Sequence, residues 1–236
     1  VCLWAVIDAF NLGTLFSYGS AWDLMEFGIL ADDGASGTVQ VQMNGNSYDT
    51  DVALAGSDDG GWHHYCLAYD GSAWTLYFDG AAARRQEVSL NTGSEYVLML
   101  GDRFWKGFPF AGAIDEVYVY ASALDETSIQ VLYDAVTTAP TVTPLPTHVS
   151  HSTLVAHYSF DEGTAAEDSD SSLDGTISGA TATTGQYGVG GALSFTRETC
   201  ASLKTALRGK FHGTHVEQAP LCQWIPCAEA CVMEEP

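Results

Sequence analysis

Gly61-Trp62-His63-His64-Tyr65, leading to Tyr69-Asp70-Gly71 and then to Leu76-Tyr77-Phe78-Asp79-Gly80, sets the reading of the whole chain. Trp74, Leu76 and Phe78 alternate with Thr75, Tyr77 and Asp79, the period of a strand that turns one face to a core and the other away from it. The dipeptides Asp70-Gly71 and Asp79-Gly80 are tight-turn signals, so the runs they bound are neighbouring antiparallel strands. His63 and His64 are adjacent on such a strand, point to opposite faces and cannot share an ion; the pair reads as structural.

The same grammar extends in both directions. Val39, Val41 and Met43 alternate with Gln40 and Gln42 before the turn signal Asn44-Gly45, and Val117 and Val119 alternate with Glu116, Tyr118 and Tyr120. A helix is expected from Glu126 to about Ala135, with Asp125 as its N-cap and Ile129, Leu132 and Tyr133 on one face. Residues 137–153 hold three of the seven prolines and keep neither period, so they read as an extended linker. Alternation resumes at Leu154 and runs to Phe160, and a further strand is expected around Gly190 to Phe195. Residues 200–236 carry four of the six cysteines without a clean period and receive no fold. The fold class is therefore all-β, an antiparallel sandwich with one short helix.

Composition narrows the function. With 8 Lys and Arg against 30 Asp and Glu, the chain carries a formal charge of −22, which repels a nucleic-acid backbone or an anionic membrane. Cations and neutral glycans are the natural partners. No stretch is long and apolar enough to span a bilayer, and six cysteines among so few lysines suggest an extracellular, oxidising setting. The chain begins at Val1 and reads as a processed product or a segment of something longer. No Gly-x-Ser-x-Gly elbow, phosphate loop or Cys-x-x-Cys occurs, and Asp115 and Glu116, adjacent on a strand, are expected on opposite faces, which argues against a paired-carboxylate glycosidase. Cys222, Cys227 and Cys231 read as disulfide cysteines in preference to zinc ligands.

The stretch from Gly61 to Gly80 resembles the central strands of the laminin-G-like, concanavalin-type jelly rolls. Gly112-Ala113-Ile114-Asp115-Glu116-Val117-Tyr118-Val119-Tyr120, with Ala123-Leu124 and the helix ending at Leu132-Tyr133, is similar to that family's last strand and terminal helix. The likeness covers residues 1–135, but the family's opening strand is missing before Val1. It reappears later: His157-Tyr158-Ser159-Phe160-Asp161-Glu162-Gly163, Asp168-Ser169 to Asp174-Gly175-Thr176 and Gly190-Gly191-Ala192-Leu193-Ser194-Phe195 resemble the start of such a domain. The chain accordingly divides into a sandwich lacking its first strand (1–136), the linker, opening strands (154–199) and the cysteine-containing tail. Either the chain is a segment of a tandem array, or those opening strands fill the vacant slot of the same chain or of a neighbouring copy.

The resemblance implies more. A calcium ion tying the opening strand to the last strand would take Asp161, Asp168, Asp174 and Asp115 as ligands. It also implies a disulfide between Cys2 and Cys66, on strands that the family pairs. Trp22 and Trp105 lie in irregular segments and are the candidates for stacking on sugar, while Thr138, Thr141, Thr143 and Thr147 beside the linker prolines are candidates for O-linked glycosylation. The functional expectation is a non-catalytic extracellular module that self-assembles head to tail by strand exchange, with a calcium-dependent, carbohydrate-binding module as the alternative.

Overall fold

The computed structural model describes residues 1–8, 13–19, 27–32, 37–53, 60–90, 98–103, 108–138, 153–164, 174–186, 190–196 and 200–203. Two antiparallel sheets face each other. The first runs β13 (Thr181–Thr184), β14 (Gly191–Phe195), β10 (Gly112–Tyr120), β1 (Cys2–Ile7), β6 (His63–Tyr69), β7 (Ala73–Phe78) and β8 (Ala81–Glu87), with β11 (Leu154–Tyr158) also paired to β10. The second runs β12 (Thr176–Ser178), β15 (Cys200–Leu203), β9 (Leu98–Leu100), β2 (Gly13–Tyr18), β3 (Phe27–Asp32), β4 (Thr38–Met43) and β5 (Asn46–Ala53). This is the antiparallel sandwich expected from the alternation.

Period two sorts the side chains between two packed layers. Leu3, Ala5 and Ile7 of β1, Tyr65 and Leu67 of β6, Trp74 and Leu76 of β7, and Ile114, Val117 and Val119 of β10 meet Phe16, Ile29, Val41 and Leu100 between the sheets. The intervening residues Cys2, Cys66, Tyr77, Tyr118 and Tyr120 face the other way and pack with Ile129 and Leu132 of the helix α1 (Glu126–Thr138). Asp125 caps α1, its carboxylate accepting from the Ser128 N–H at 2.8 Å. The helix runs three residues past Ala135, because nothing before Pro140 stops it and the Thr137 hydroxyl donates to the Tyr133 carbonyl at 3.1 Å. Thr137 and Thr138, assigned to the linker from sequence, are thus helical.

The second edge of β10 is shared. Its N-terminal half pairs with β14, Ile114 opposite Leu193, and its C-terminal half with β11, Val117 opposite Tyr158. Ala156, Tyr158 and Phe160 enter the core at 2% exposure or less, and each aromatic contributes about 1.5–3 kcal/mol through burial. Here β11 and β14 of the same chain lie on the edge expected to be open. Residues 200–203, left without a fold from sequence, pair with β9 and β12 as β15.

Cys2 and Cys66 are direct cross-strand partners on β1 and β6 and are joined by a disulfide. It closes a loop with a sequence separation of 64 residues beneath α1. Replacing both cysteines by alanine should lower stability by about 4 kcal/mol on loop-closure entropy alone, read as a reduced urea midpoint with a slope that rises as the freed denatured chain exposes more surface.

Candidate functional site

β10 carries a bulge where its two outer partners meet. Glu116 adopts a left-handed φ of 49°, a conformation that L side chains resist, and the register to β1 slips so that Trp4 faces Asp115 while Cys2 faces Tyr118. Cys2 and Trp4 share a face of β1, so Asp115 and Tyr118 share a face of β10. Glu116 joins them: its Oε2 accepts from the Tyr118 hydroxyl at 2.5 Å and lies 2.6 Å from His157 Nε2 on β11. The expectation that Asp115 and Glu116 point to opposite faces fails because the bulge inserts a residue into the alternation.

This cluster pins β11. The His157 ring stacks on Tyr118 at 4.2 Å with planes 3° apart, and Glu116 completes the clamp. Burial raises its carboxyl, but the hydrogen bond and charge of His157 together with the Tyr118 hydroxyl outweigh it, so the net shift is downward. Asp115 behaves oppositely. It is 3% exposed, and burial, with Glu116 and Asp161 nearby, pushes its carboxyl up to about 8 despite the N–H groups of Gln186 and Glu116.

The Gln186 N–H donates to Asp115 Oδ2 at 3.0 Å, tying the end of the β13 segment to the bulge. The Gln186 side chain is itself 4% exposed, and neither its Oε1 nor its Nε2 has a hydrogen-bond partner among the described residues. Sequence reasoning missed Gln186, because its role depends on a buried carboxylate seventy-one positions away.

On the solvent side lies an open cleft of about 460 Å³, lined by Asp161, Glu162, Gly163, Ala182, Thr183, Thr184, Gly190 and Gly191. Phe160, with a left-handed φ of 55°, ends β11 and turns the chain so that Asp161 faces this cleft. Gly191 N–H holds Asp161 Oδ1 at 3.0 Å. A side chain on Gly190 would overlap that oxygen, and one on Gly191 would come within 2.5 Å of the Phe160 carbonyl. The two glycines therefore form a floor on which the carboxylate is seated. Glu162, Thr183 and Thr184 are exposed at its walls.

Of the four carboxylates expected to bind calcium, Asp115 and Asp161 lie close enough for their charges to interact, and Asp174 stands just ahead of β12. Asp168 lies outside the described residues. Among the described residues no group of three or more His, Cys, Asp or Glu is placed to hold a metal ion. An ion at Asp115 and Asp161 would need other oxygens, and the buried Gln186 carboxamide is of the right chemistry. Trp22, Trp105, Thr141, Thr143 and Thr147 also lie outside the described residues, and Thr138 is the last residue of α1. His63 and His64 take opposite faces: His63 Nδ1 is 2.7 Å from Asp79 Oδ2 and His64 is buried.

The outward face of the second sheet is a poorer platform. Its Ser17 and Gln42 are 2% and 3% exposed and are engaged internally, Ser17 to the Asp102 carbonyl and Gln42 to Ser47.

Comparison with known proteins follows this geometry. A family described as the concanavalin A-like lectin/glucanases superfamily matches residues 1–130. Nothing among curated proteins matches. Domain 4 of AbnA, a GH43 extracellular arabinanase from Geobacillus stearothermophilus solved with arabinotriose, is similar at 22% identity and TM-score 0.45, over 55% of this chain and 63% of that one. A Bacteroides ovatus protein described as carbohydrate binding is similar at 17% identity and TM-score 0.48, over 86% of this chain and 52% of that one. The heptameric SAP-like pentraxin of Limulus polyphemus shares 18% identity at TM-score 0.41, over 56% of this chain and 67% of its own. The chain thus spans about half to two thirds of the length of these structures.

The Gly190→Ala variant tests the seating of Asp161. It should displace the carboxylate and cost at least about 1 kcal/mol through the imposed positive φ, measured by urea denaturation.

Proposed function

The chain belongs to the concanavalin A-like lectin/glucanase superfamily, and from that premise we propose that it is a non-catalytic, extracellular carbohydrate-binding module whose site is the cleft at Asp161. The observation carrying this reading is the convergence of Asp161, Glu162, Thr183 and Thr184 on one open, glycine-floored depression. Fixed carboxylate and hydroxyl groups suit the hydroxyl groups of a sugar, and the glycine floor lets a pyranose or furanose ring approach the backbone. A catalytic role is disfavoured by the carboxylates at the bulge, since Asp115 is buried and Glu116 is committed to Tyr118 and His157. Among the described residues no helix is long and apolar enough to cross a membrane.

Calcium is part of the proposal. Asp115 and Asp161, with Asp174 and Asp168 as the resemblance implies and the Gln186 carboxamide as a neutral oxygen donor, would hold a hard divalent cation. Such an ion would supply positive charge where carboxylates crowd, fixing Asp161 for the ligand. Domain limits are proposed as residues 1–136 and 154–199 acting as one unit. Head-to-tail assembly would need residues 154–195 to pair with β10 of another copy in place of their own.

Isothermal titration with neutral oligosaccharides, arabino-oligosaccharides included, should give saturable binding. Asp161→Ala should weaken it at least tenfold, about 1.4 kcal/mol. A panel of neutral glycans that fails to bind with or without calcium would exclude the reading.

Calcium should raise the melting temperature with the logarithm of its free concentration, and Asp115→Ala should remove that response. An equal melting curve in chelator counts against the ion alone. Sedimentation should find monomers; a ladder of oligomers would reinstate strand exchange between copies.

A further inference from the structure

His64 occupies an unusual place for an imidazole. It lies on β6 on the face covered by α1, with no exposed surface, and among the described residues neither Nδ1 nor Nε2 has a hydrogen-bond partner. Its ring is 5.2 Å from Trp4 on β1 and 6.2 Å from Tyr133 on α1, and Trp4 in turn stacks on Tyr133 at 5.6 Å. The three rings form the contact through which this part of α1 docks on the sheet.

We propose that this ring contact is an acid-sensitive latch, in which protonation of His64 releases α1 from the first sheet before the sandwich itself unfolds. A neutral imidazole can be buried among rings at modest cost, whereas an imidazolium brings two N–H donors and a charge into a place where, among the described residues, neither nitrogen meets an acceptor. Because the rings belong to three different elements, the least costly way to hydrate the charge is to lift the helix, which buries less than the strands beneath it.

The charged and titratable groups around His64 do not rescue the imidazolium. From the β7–β8 turn comes Asp79, whose Oδ1 accepts the His64 backbone N–H at 2.9 Å and whose Oδ2 is taken by His63 Nδ1. The Val1 amino group, just ahead of β1, is itself held down to about 5 by burial and offers no counter-charge. From α1 comes Tyr133, while Gln130 and Asp134 of the helix are exposed and bonded to each other at 2.9 Å. Burial outweighs the Asp79 attraction, so the His64 ring is held down to about 4 from an ordinary 6.5.

The sign follows from linkage. With the folded value below the unfolded one, the open form binds more protons between pH 6.5 and 4, so docking is at full strength above pH 6.5 and weakens as pH falls through that window. At pH 4 the opening equilibrium of α1 should increase on the order of 100-fold, the ratio of the two binding polynomials.

The test is hydrogen–deuterium exchange of the full chain at pH 7 and pH 4, read as protection factors, which remove the intrinsic pH dependence of exchange. The α1 amides should lose protection on the order of 100-fold while those of β1 and β6 lose far less, and His64→Phe, which keeps a ring without the titrating nitrogens, should abolish the difference. Equal α1 protection at both pH values, or an equal loss in His64→Phe, overturns the proposal. If His64→Phe does not fold, the imidazole of the native chain is titrated by NMR: no titration above pH 5 with α1 docked supports the latch, and a midpoint at 6 or above with α1 still docked overturns it.

Discussion

Both edges of β10 must find partners, and most of the architecture follows from that requirement. A strand in the interior of a sheet leaves costly N–H and C=O groups if either side is open. On one side β10 pairs with β1. On the other, among the described residues, no segment between Val1 and Tyr120 is paired with it, and the edge is covered by two strands from after the helix, β14 on the first half and β11 on the second. Residues remote in sequence therefore finish the domain that the first 120 begin, and they bring Tyr158, Phe160, Leu193 and Phe195 into its core.

Two strands meeting end to end on one edge leave a junction, and the chemistry collects there. The bulge at Glu116 falls between the two pairings, so the carboxylates of Asp115 and Glu116 are displaced to one side of β10. Glu116 is held by His157 and by the Tyr118 hydroxyl and becomes a clamp on β11. Among the described residues Asp115 is bonded by two backbone N–H groups, those of Glu116 and Gln186, and remains buried. The same turn of chain that ends β11 places Asp161 on the solvent side of this junction, where the glycines after β13 leave room for it. Closure of the sheet and formation of the cleft are thus one structural event, and a ligand or ion held there would bind only the closed form.

The other face of the first sheet is organised by the alternation itself. Because successive residues of β1 and β6 point to opposite sides, Leu3, Ala5, Tyr65 and Leu67 build the core while Cys2, Trp4, His64 and Cys66 meet the helix. The disulfide and the ring cluster under α1 are consequences of the register that aligns Cys2 with Cys66 and Trp4 with His64.

Local pattern was enough for a large part of this protein. The period of Trp74-Thr75-Leu76-Tyr77-Phe78, the Asp-Gly turns and the Asp125 cap depend on neighbours within a few residues, so the sequence alone determined an all-β sandwich with a helix packed on it, the core faces of its main strands and the apolar face of β11. It failed where the deciding partner is distant. The alternation rule put Asp115 and Glu116 on opposite faces, and only the pairing of β10 with β1 reveals the bulge that breaks it. Gln186 looks like an ordinary polar residue until a carboxylate from β10 is buried against it, and Cys200 to Leu203 form a strand only because β9 and β12 flank them. Tertiary structure alone decided which edge the late strands cover and which polar groups share the cleft, because strand pairing and burial of charge are set by groups brought together across the fold, and period and turn chemistry carry no record of them.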